Sequence, residues 1–398
     1  MNDVTSFSKG KASPPLIREL NRNLILRELR SHPLQSRAAL AKKTKLSRPS
    51  VSELIKEMIN DGMVREVGMG NSTSNGGRKP ILLEYNAQSH FVGGAILQDG
   101  LLKVTLADMD GNLIKTDSES IQMPISDNEI ITVVDSMLTK IITSFSISKN
   151  QILGIVIGVP GITTETGEGI RYSPGVSWSD NDVVRVFEKQ IGIPVVIDND
   201  VNLMTLGEFH KGLGVSYQNT IYLFAGNGIG SGIIIDGEFI RGAHKAAGEI
   251  GYMLIGNTLN KNLDMGVFES NYGTAGLLQR MERLGLPVDY SKKAIFQLQR
   301  LSLKDSTAEE LLNELLDSWT IAIVNLASIL DPDLIILSGE MSDLHDEYLE
   351  LLKRNIERYI PKLPSISLTT LGSKAGLYGA IHLALGEFTQ FGYQNRSL

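Results

Sequence analysis

Cysteine is absent from the chain's 398 residues, and several classes of protein are excluded with it. Without thiols the protein has no disulfide framework, no cysteine nucleophile and no thiolate metal site. Its six histidines leave little material for a zinc site made of imidazoles alone. Aromatic residues are scarce, at 6%, and no apolar run approaches the roughly 18 residues that a membrane span needs. Because no apolar signal core follows the polar N-terminus, we expect a cytoplasmic protein that does not bind membranes.

A strong net charge is lacking as well, but the net charge of -7 is the sum of two parts of the chain with opposite charge. Residues 1–80 contain 15 lysines and arginines against 7 acidic residues, a local charge of +8, which leaves −15 for the remainder. A basic solvated face is one explanation. A nucleic-acid-binding module fused to an acidic body is the other, and the residue order in the basic part favours it. The length of the chain independently predicts two or three domains.

Three helices are predicted in the basic part. Apolar residues recur at helical spacing from residue 16 to residue 30, and Ser36 and Ser47 are placed to cap a second and a third helix. Two short helices joined by a tight turn are typical of a helix-turn-helix, whose second helix enters the major groove of DNA. The buried face of the third helix is expected to consist of Val51, Leu54, Ile55 and Met58. The DNA-contacting residues of this motif are expected to be Arg37, Ser47, Arg48, Ser50, Ser52 and Lys56.

A glycine- and serine-rich loop follows, between two strand-like segments at 62–68 and 81–85. This layout predicts a winged helix, with Gly76, Gly77, Arg78 and Lys79 at a hairpin tip that meets phosphates or the minor groove. A flexible interdomain linker is the alternative. The flanking strands favour the wing, so residues 1–85 are predicted to form a winged helix-turn-helix domain.

After residue 86 short apolar strands alternate with helices, which indicates an α/β body with a mainly parallel sheet. Ligands bind such sheets at the carboxyl ends of the strands. Strands are predicted at 91–97, 101–106, 152–159, 194–197, 220–225, 232–235 and 334–337, with helices at 130–145, 201–210 and 311–330.

Polar residues directly follow the predicted strand at 194–197. Asp200, with Asp198 and Asn199 beside it, is placed to accept hydrogen bonds from sugar hydroxyls or to act as a general base toward one. Asp198 and Asp200 are equally well placed to serve as the N-cap of the helix that follows. The sequence leaves both roles open.

Two glycine-rich segments extend this candidate site. In the first, at 225–232, Gly226 and Asn227 belong to a turn whose backbone N–H groups can approach a phosphate or a sugar oxygen. No Walker A lysine follows it, and the strand after it argues against a dinucleotide fingerprint, so a plain hairpin turn remains possible. In the second, at 248–252, Glu249 suits a polyol, and Tyr252 offers a hydroxyl or a stacking face.

These motifs, taken in order, resemble the ROK family, which groups sugar-responsive repressors and sugar kinases on an actin-like fold. The resemblance spans nearly the whole chain and implies a first α/β lobe at 86–198, to which a helix at 375–398 returns. It implies a second lobe at 199–374 with the sugar site and the oligomer interface. The motifs are Gly76-Gly77-Arg78-Lys79-Pro80, Gly158-Val159-Pro160-Gly161, Asn199-Asp200, Gly228-Ile229-Gly230, Gly248-Glu249-Ile250-Gly251 and Ala375-Gly376-Leu377-Tyr378-Gly379-Ala380. The implied sugar-binding residues are Asn199, Asp200, Gly226, Asn227, Glu249, Tyr252 and Glu269.

The departures from the family pattern concern its phosphate and metal chemistry. Family kinases resemble one another in an Asp-x-Gly-Gly-Thr loop that cradles ATP; here Ala95 replaces the aspartate and Leu97 a glycine, and we expect the leucine side chain to fill phosphate space. Asn227 replaces a second-loop threonine. Tyr252 replaces a zinc-binding histidine, and the family's cysteines are missing at 262–269, so neither ATP nor zinc is expected as a cofactor. Gly175 replaces an asparagine, which alters the expected sugar preference.

The sequence therefore predicts a sugar-responsive transcriptional repressor of carbohydrate-utilisation genes, without catalytic residues. It is expected to act as a homodimer or a dimer of dimers on an inverted-repeat operator, and to be released when a sugar binds between the lobes. A sugar kinase with a DNA-binding head and a sugar-dependent activator are the rival functions.

Overall fold

The computed structural model describes residues 14–70, 79–164, 169–173, 175–178, 182–255 and 266–389. The basic N-terminal part folds as a small helical head with one sheet, ordered β1-β3-β2. Its elements are α1 (Pro14–Ser31), β1 (Gln35–Ser36), α2 (Arg37–Thr44), α3 (Arg48–Asn60), β2 (Val64–Met69) and β3 (Ile81–Tyr85).

The predicted helix caps of the head are confirmed. Ser36 Oγ accepts a hydrogen bond from the backbone N–H of Ala39 at 3.2 Å, and Ser47 Oγ accepts one from Ser50 at 3.2 Å. Such caps satisfy backbone donors that the helix itself leaves unpaired. The predicted stripe of α3 is buried and packs on α1, α2 and Leu83 of β3, so the head has a hydrophobic core of its own.

The two predicted wing strands pair with each other. β2 and β3 are antiparallel, with a bulge near Gly68, and the N–H of Gly70 donates to the carbonyl of Pro80 at 2.8 Å to close the base of the hairpin. A linker between domains would not form this ladder, so the linker alternative is wrong for the flanking segments. Residues 71–78, which include Gly76, Gly77 and Arg78, lie outside the described residues.

The first lobe is built on a five-stranded sheet ordered β12-β8-β4-β5-β6. β4, β8 and β12 run parallel, while β5 and β6 continue as antiparallel hairpins. α4 and α5 cover one face and bury a large aliphatic core. The elements are β4 (Phe91–Gln98), β5 (Leu101–Asp108), β6 (Leu113–Ser120), β7 (Ile125–Ser126), α4 (Asp127–Ser144), β8 (Ile152–Val159), β9 (Ile162–Thr163), β10 (Ile170–Tyr172), β11 (Val176–Ser177), α5 (Val183–Ile191) and β12 (Val195–Asn199).

The second lobe repeats this plan with a sheet ordered β15-β14-β13-β16-β17, covered on its outer face by helices that include the long, apolar α10. None of the helices in the described ranges combines the length and hydrophobicity that spanning a bilayer requires. The remaining elements are α6 (Asp200–Lys211), β13 (Thr220–Ala225), β14 (Ile229–Ile235), β15 (Glu238–Phe239), α7 (Val267–Tyr272), α8 (Thr274–Arg283), α9 (Ala294–Ser302), α10 (Ser306–Leu330), β16 (Leu334–Gly339), α11 (Asp346–Glu357), β17 (Ser365–Leu368) and α12 (Ala375–Phe388).

Two helices, α6 and α12, lie between the sheets. Leu203 of α6 packs with α12 against β4 and β8, while Met204 faces β13 and β16 of the second lobe. The helices approach so closely that a Cβ on Gly379 would lie 1.7 Å from the carbonyl oxygen of Leu203. This pair sets the N-terminus of α6, which begins at Asp200, into the cleft between the lobes. Residues 390–398 of the predicted C-terminal helix lie outside the described residues.

Candidate DNA interface and inter-lobe cleft

The recognition helix α3 presents an exposed basic face. Arg48, Ser52 and Lys56 are four residues apart, a spacing that places side chains on one face of a helix, and all three are exposed. Ser47 and Ser50 lie at the start of the same helix, where their hydroxyls are 2.7 Å apart. These two serines order the first turn of α3, and the other three side chains stay exposed on one face of the helix.

The acidic side chains of α3 are turned away from that face. Glu53 and Glu57 both pair with Arg18 of α1, the first at 3.0 Å, and Asp61 after the helix pairs with Arg22 at 2.6 Å. Exposed pairs of this kind contribute little stability, but they neutralise the carboxylates beside the exposed face of Arg48, Ser52 and Lys56. Within the described residues Arg48 and Lys56 have no ion pair, so the face of α3 stays basic.

The other residues of the head that were predicted to contact DNA lie outside α3. Arg37 pairs with Glu66 of β2 at 2.9 Å and so connects the first helix of the motif to the wing. Its side chain is still partly exposed. Lys79 is exposed at the base of the wing. Sequence reasoning missed Lys42 and Lys45, which are exposed at the end of α2 and in the turn before α3. Their place in a helix-turn-helix turn was the signal that could have found them.

The head contacts the first lobe through an ion pair and through the segment after β3. Arg30 of α1 pairs with Asp110, in the turn between β5 and β6, at 2.6 Å, and its guanidinium lies 5.4 Å from the ring centre of Tyr85. The N–H of Asn86 donates to the carbonyl of Met63 at 2.8 Å. The head therefore contacts the body through a specific charged contact as well as through the chain.

The inter-lobe cleft contains a cavity of about 340 Å³, in the size range of small-molecule sites. It lies at the carboxyl ends of β8 and β12, where parallel sheets place their ligands. Among the lining residues are Asp99, Gly175, Asn199, Asp200, Asn227, Lys245, Glu249, Tyr252 and Glu269. Six of the seven predicted sugar-binding residues are thus brought together. Gly226 is the exception: it lines a neighbouring cavity of about 470 Å³.

Asn199 is the N-cap of α6, so neither aspartate has that role. Its Oδ1 accepts from the N–H of Asn202 at 2.9 Å, and its Nδ2 donates to the carbonyl of Gly161 at 2.8 Å. Asp198, the other candidate, is almost fully buried and pairs with Arg241 of the second lobe at 2.7 Å. Asn199 therefore positions the start of α6, and Asp198 joins the two lobes behind the cavity.

Asp200 is the carboxylate best placed for a ligand hydroxyl. It is buried at the wall of the cavity, and its Oδ1 accepts from the N–H of Val201 at 3.0 Å. Burial, with smaller contributions from the charges of Asp99 and Glu249, raises the pKa of Asp200 to about 7. A desolvated carboxyl of this kind gains a hydrogen-bond partner when a sugar enters.

Two glutamates complete the acidic lining. Burial, with a smaller contribution from the neighbouring charge of Glu269, raises the pKa of Glu249 to about 7. Burial also raises the pKa of Glu269, although its Oε2 accepts a hydrogen bond from the N–H of Ile229 at 2.8 Å. Among the lining residues in the described part of the chain, Lys245 is the one cation. The cavity therefore suits an uncharged polyol.

The glycine-rich turn is shorter than predicted. β14 already begins at Ile229, so Gly230 and Gly232 lie inside a strand. A Cβ on Gly232 would be 1.9 Å from Thr205 Oγ1, which shows that this glycine allows α6 to approach the sheet. Two N–H groups of the remaining turn are engaged by carboxylates: that of Asn227 donates to Asp99 Oδ1 at 3.4 Å, and that of Ile229 donates to Glu269.

The prediction that Leu97 fills phosphate space is wrong. Side chains alternate along a strand, and Ala95 and Leu97 both point into the core of the first lobe, where they are buried. Asp99 instead reaches the cleft from the tip of the β4–β5 hairpin. Sequence reasoning passed over Asp99, although an Asp-Gly pair between two apolar strands is a strong hairpin signal.

Tyr252 and Gly175 stand at the edge of the cavity. Tyr252 is half exposed, and Gly175, in the left-handed region with φ 74°, lies beside Met123.

Of the segment that replaces the family's cysteine cluster, 262–265 lies outside the described residues, while Glu269 sits on α7. In the part of the chain that the structure describes, no three acidic or histidine side chains are grouped as metal ligands.

A winged helix-turn-helix head on a two-lobed α/β body with an inter-lobe cleft defines a DNA-binding regulator whose body has a sugar-kinase-like fold. The model of the ROK family matches residues 99–387, and that of a winged helix-turn-helix DNA-binding domain matches 18–65. The chain belongs to the ROK family.

Named relatives include both regulators and kinases. A putative xylose repressor from Caldicellulosiruptor sp. (strain Rt8B.4) is 29% identical over 94% of this chain and 98% of its own length. A glucokinase from Halalkalibacterium halodurans is 28% identical over 63% of this chain and 81% of its own. The crystal structure of a ROK family transcriptional regulator, a homologue of the E. coli MLC protein, has the same fold, with a TM-score of 0.72 at 18% identity over 93% of this chain and 96% of that one.

Proposed function

We propose that the protein is a sugar-responsive transcriptional repressor, released from its operator when a sugar binds between the lobes, and that it does not transfer phosphate. One observation carries the proposal: the basic face of α3 occurs in the same chain as a cleft in which the chain's own carboxylates accept N–H groups of the glycine-rich turn. Relatives named xylose repressor make a pentose the first ligand to test.

The DNA interaction follows from the head. α3 enters the major groove, with Arg48, Ser52 and Lys56 outward, while Lys79 and Arg78 of the wing reach the backbone or the minor groove. A dimer, or a dimer of dimers, presents two heads related by a two-fold axis. Such an arrangement requires an inverted repeat whose half-sites are about one helical turn apart or a multiple of that distance.

The DNA interface is tested by measuring operator affinity against salt concentration. Arg48→Ala should weaken binding by about tenfold or more if the guanidinium reads a base edge, since such contacts contribute roughly 1–3 kcal/mol. Lys56→Ala and Arg78→Ala should each weaken binding and make the log-affinity against log-salt slope shallower by about one unit. Lys140→Ala, an equal charge change on the exposed side of α4, is the control. An unchanged slope in both phosphate variants would contradict this interface.

Induction depends on the two lobes. A sugar between them favours a closed arrangement in which the heads no longer match the operator spacing, provided that it binds the closed state better. Moving the equilibrium from 1:99 to 99:1 requires about 5.5 kcal/mol of such preference.

Asp200 is the residue that tests induction. Asp200→Ala should bind operator DNA as the wild type does and ignore the inducing sugar, because the ligand loses its buried hydrogen-bond acceptor. Operator release is measured by fluorescence anisotropy across a panel of pentoses and hexoses, with Glu119→Ala on exposed β6 as the control. Normal release of Asp200→Ala by the sugar that releases the wild type would refute the proposal.

A sugar kinase is the second candidate, favoured by one feature of Asp200. A carboxyl with a pKa of about 7 is well suited to general-base catalysis near neutral pH. Phosphoryl transfer also needs free donors around the phosphates, and the N–H groups of Asn227 and Ile229 are already engaged. A coupled assay of ADP release over hexoses and pentoses decides the question: turnover that Asp200→Ala abolishes would establish the kinase.

Repression is distinguished from activation in a promoter-reporter strain that lacks the protein. Reporter expression without sugar should rise when the gene is deleted and fall again when it is restored. A fall on deletion would identify an activator that uses the same DNA contacts.

A further inference from the structure

Asp99 crosses the cleft from the first lobe to the second. It forms a two-residue turn with Gly100 between β4 and β5, with φ values of 49° and 72°, both in the left-handed region. The turn carries the carboxylate to the 226–228 turn of the second lobe, where Oδ1 accepts the N–H of Asn227 and Oδ2 lies 3.4 Å from where a Cβ of Gly226 would stand. A carboxylate therefore occupies the position at which glycine-rich turns bind anions.

Asp99 also stands on the wall between two cavities. The 340 Å³ cavity and the neighbouring 470 Å³ cavity are both lined by Asp99, Phe224 and Asn227. Burial raises the pKa of Asp99, although the N–H of Asn227 and the charge of Lys293 oppose the shift. A ligand in either cavity thus meets the same carboxylate.

The two cavities differ in charge. Asp99 and three further carboxyls line the smaller one, with Lys245 as the one cation among its described lining residues. Three lysines, Lys103, Lys292 and Lys293, line the larger one together with Asp99 and Glu340, and two of these lysines pair with nearby aspartates. Lys103 donates to the carbonyl of Ser373 at 3.1 Å. Asp99 separates an acidic cavity from a more basic one.

We propose that Asp99 makes the ligand site selective for uncharged sugars: its carboxylate takes the anion position of the 226–228 turn and repels a phosphate group at that end of the sugar. The inference rests on the proposed sugar-binding function, and it adds the class of ligand that the site accepts and rejects. A phosphate at the end of the sugar ring that faces the turn would lie next to the negative charge of Asp99. It would also lack the N–H of Asn227 as a donor, because that group already donates to Asp99.

Asp99→Asn separates the charge from the contact between the lobes. The amide oxygen of asparagine accepts the N–H of Asn227 as the carboxylate does, but the side chain is neutral. If Asp99 merely holds the lobes together, this variant keeps the ligand preference of the wild type. If the charge excludes anions, the variant gains affinity for phosphorylated ligands.

The experiment compares the wild type, Asp99→Asn and the control Glu119→Gln by thermal shift and by calorimetric titration. The probes are D-xylose, D-glucose, glucose 1-phosphate, glucose 6-phosphate and inorganic pyrophosphate. We expect neither ester to bind the wild type or the control. Asp99→Asn should bind pyrophosphate and at least one of the two esters at least tenfold more tightly than the wild type does.

Two outcomes overturn the role of Asp99. One is a wild type that binds either ester as tightly as it binds glucose, and the other is an Asp99→Asn protein without any gain for the esters or pyrophosphate. Failure of the proposed function looks different, because then no neutral sugar in the panel stabilises the wild type or releases it from DNA. In that case the pyrophosphate measurement still decides whether Asp99 excludes anions.

Discussion

Asp200 lies at the start of α6, where its carboxyl group is costly to ionise. It is the first residue of α6, and its carboxyl is buried at the wall of a cavity with two further acids near enough to raise its pKa. A buried carboxyl is costly to ionise unless charged or polar partners compensate. A sugar hydroxyl is such a partner. The unliganded protein therefore keeps a group that destabilises it above neutral pH, as binding sites often do.

Replacement of Asp200 by asparagine should stabilise the unliganded protein in a pH-dependent way. A carboxyl whose pKa is raised from 3.8 to about 7 binds more protons in the folded state between these values, so stability falls as pH rises through this window. The variant should match the wild type near pH 4 and unfold at a temperature several degrees higher at pH 8, since one pKa unit corresponds to about 1.4 kcal/mol. Thermal unfolding at pH 5 and pH 8 tests this, with Glu119→Gln as the control. An equal difference at both pH values would contradict it.

At the scale of elements, the packing of α6 against α12 and β14 decides where the site lies. The contacts depend on glycines: the backbones of α6 and α12 meet directly at Gly207 and Gly379, and Gly232 of β14 leaves room for the side chain of Thr205. A Cβ on any of them would lie 1.9 Å or less from a neighbouring heavy atom. Such close approach brings the N-terminus of α6 into the cleft between the sheets.

Two glycines of α12 provide a matched pair of substitutions. Gly379→Ala should destabilise the protein by several kcal/mol, because the new methyl group meets the carbonyl of Leu203 and backbone cannot move aside as a side chain can. Gly386→Ala, with nothing within 4 Å of the added carbon, should be neutral or stabilising by up to about 1 kcal/mol, as alanine favours helix. Chemical unfolding of both variants measures the difference. Equal stability of the two would mean that α6 and α12 are not in close contact.

At the scale of the whole molecule, the ligand cleft and the DNA-binding head are joined by packed elements. α6 begins in the cleft at Asp200 and packs on α12, whose Leu385 lies against the β5–β6 turn at Gly111. The adjacent Asp110 pairs with Arg30 of the head. A contiguous set of contacts is a route for coupling when its elements have two arrangements, and the ion pair is the contact that can be removed without touching either site.

Arg30→Ala should therefore weaken the response of the repressor rather than its binding of either ligand. The ratio of operator affinities without and with inducer should fall several-fold, while the sugar affinity of the isolated protein stays close to that of the wild type. Asp110→Ala should act alike, and the double variant should add nothing further, as expected for partners in one pair. Operator titration with and without the inducing sugar measures the ratio. A ratio equal to that of the wild type in both single variants would show that this contact does not transmit induction.

The local features were the ones that sequence could predict. Ser36 and Ser47 cap their helices, and Val51 and Met58 lie on the buried stripe, because caps and helical periodicity depend on residues within one or two turns. Leu97 was misplaced for the converse reason. Whether a side chain of β4 points to the core or to the cleft depends on its register with β5 and β8, which lie elsewhere in the chain.

What the sequence by itself determined is the division into a basic head and an acidic α/β body, the helix-turn-helix, and six of the residues that line the cleft. The tertiary structure decided the roles of those residues: Asn199 caps α6, Gly226 lines the neighbouring cavity, and Asp99 reaches across from the first lobe. Composition and periodicity are local properties, whereas the surroundings of a carboxyl depend on which distant strands and helices the folded core brings next to it.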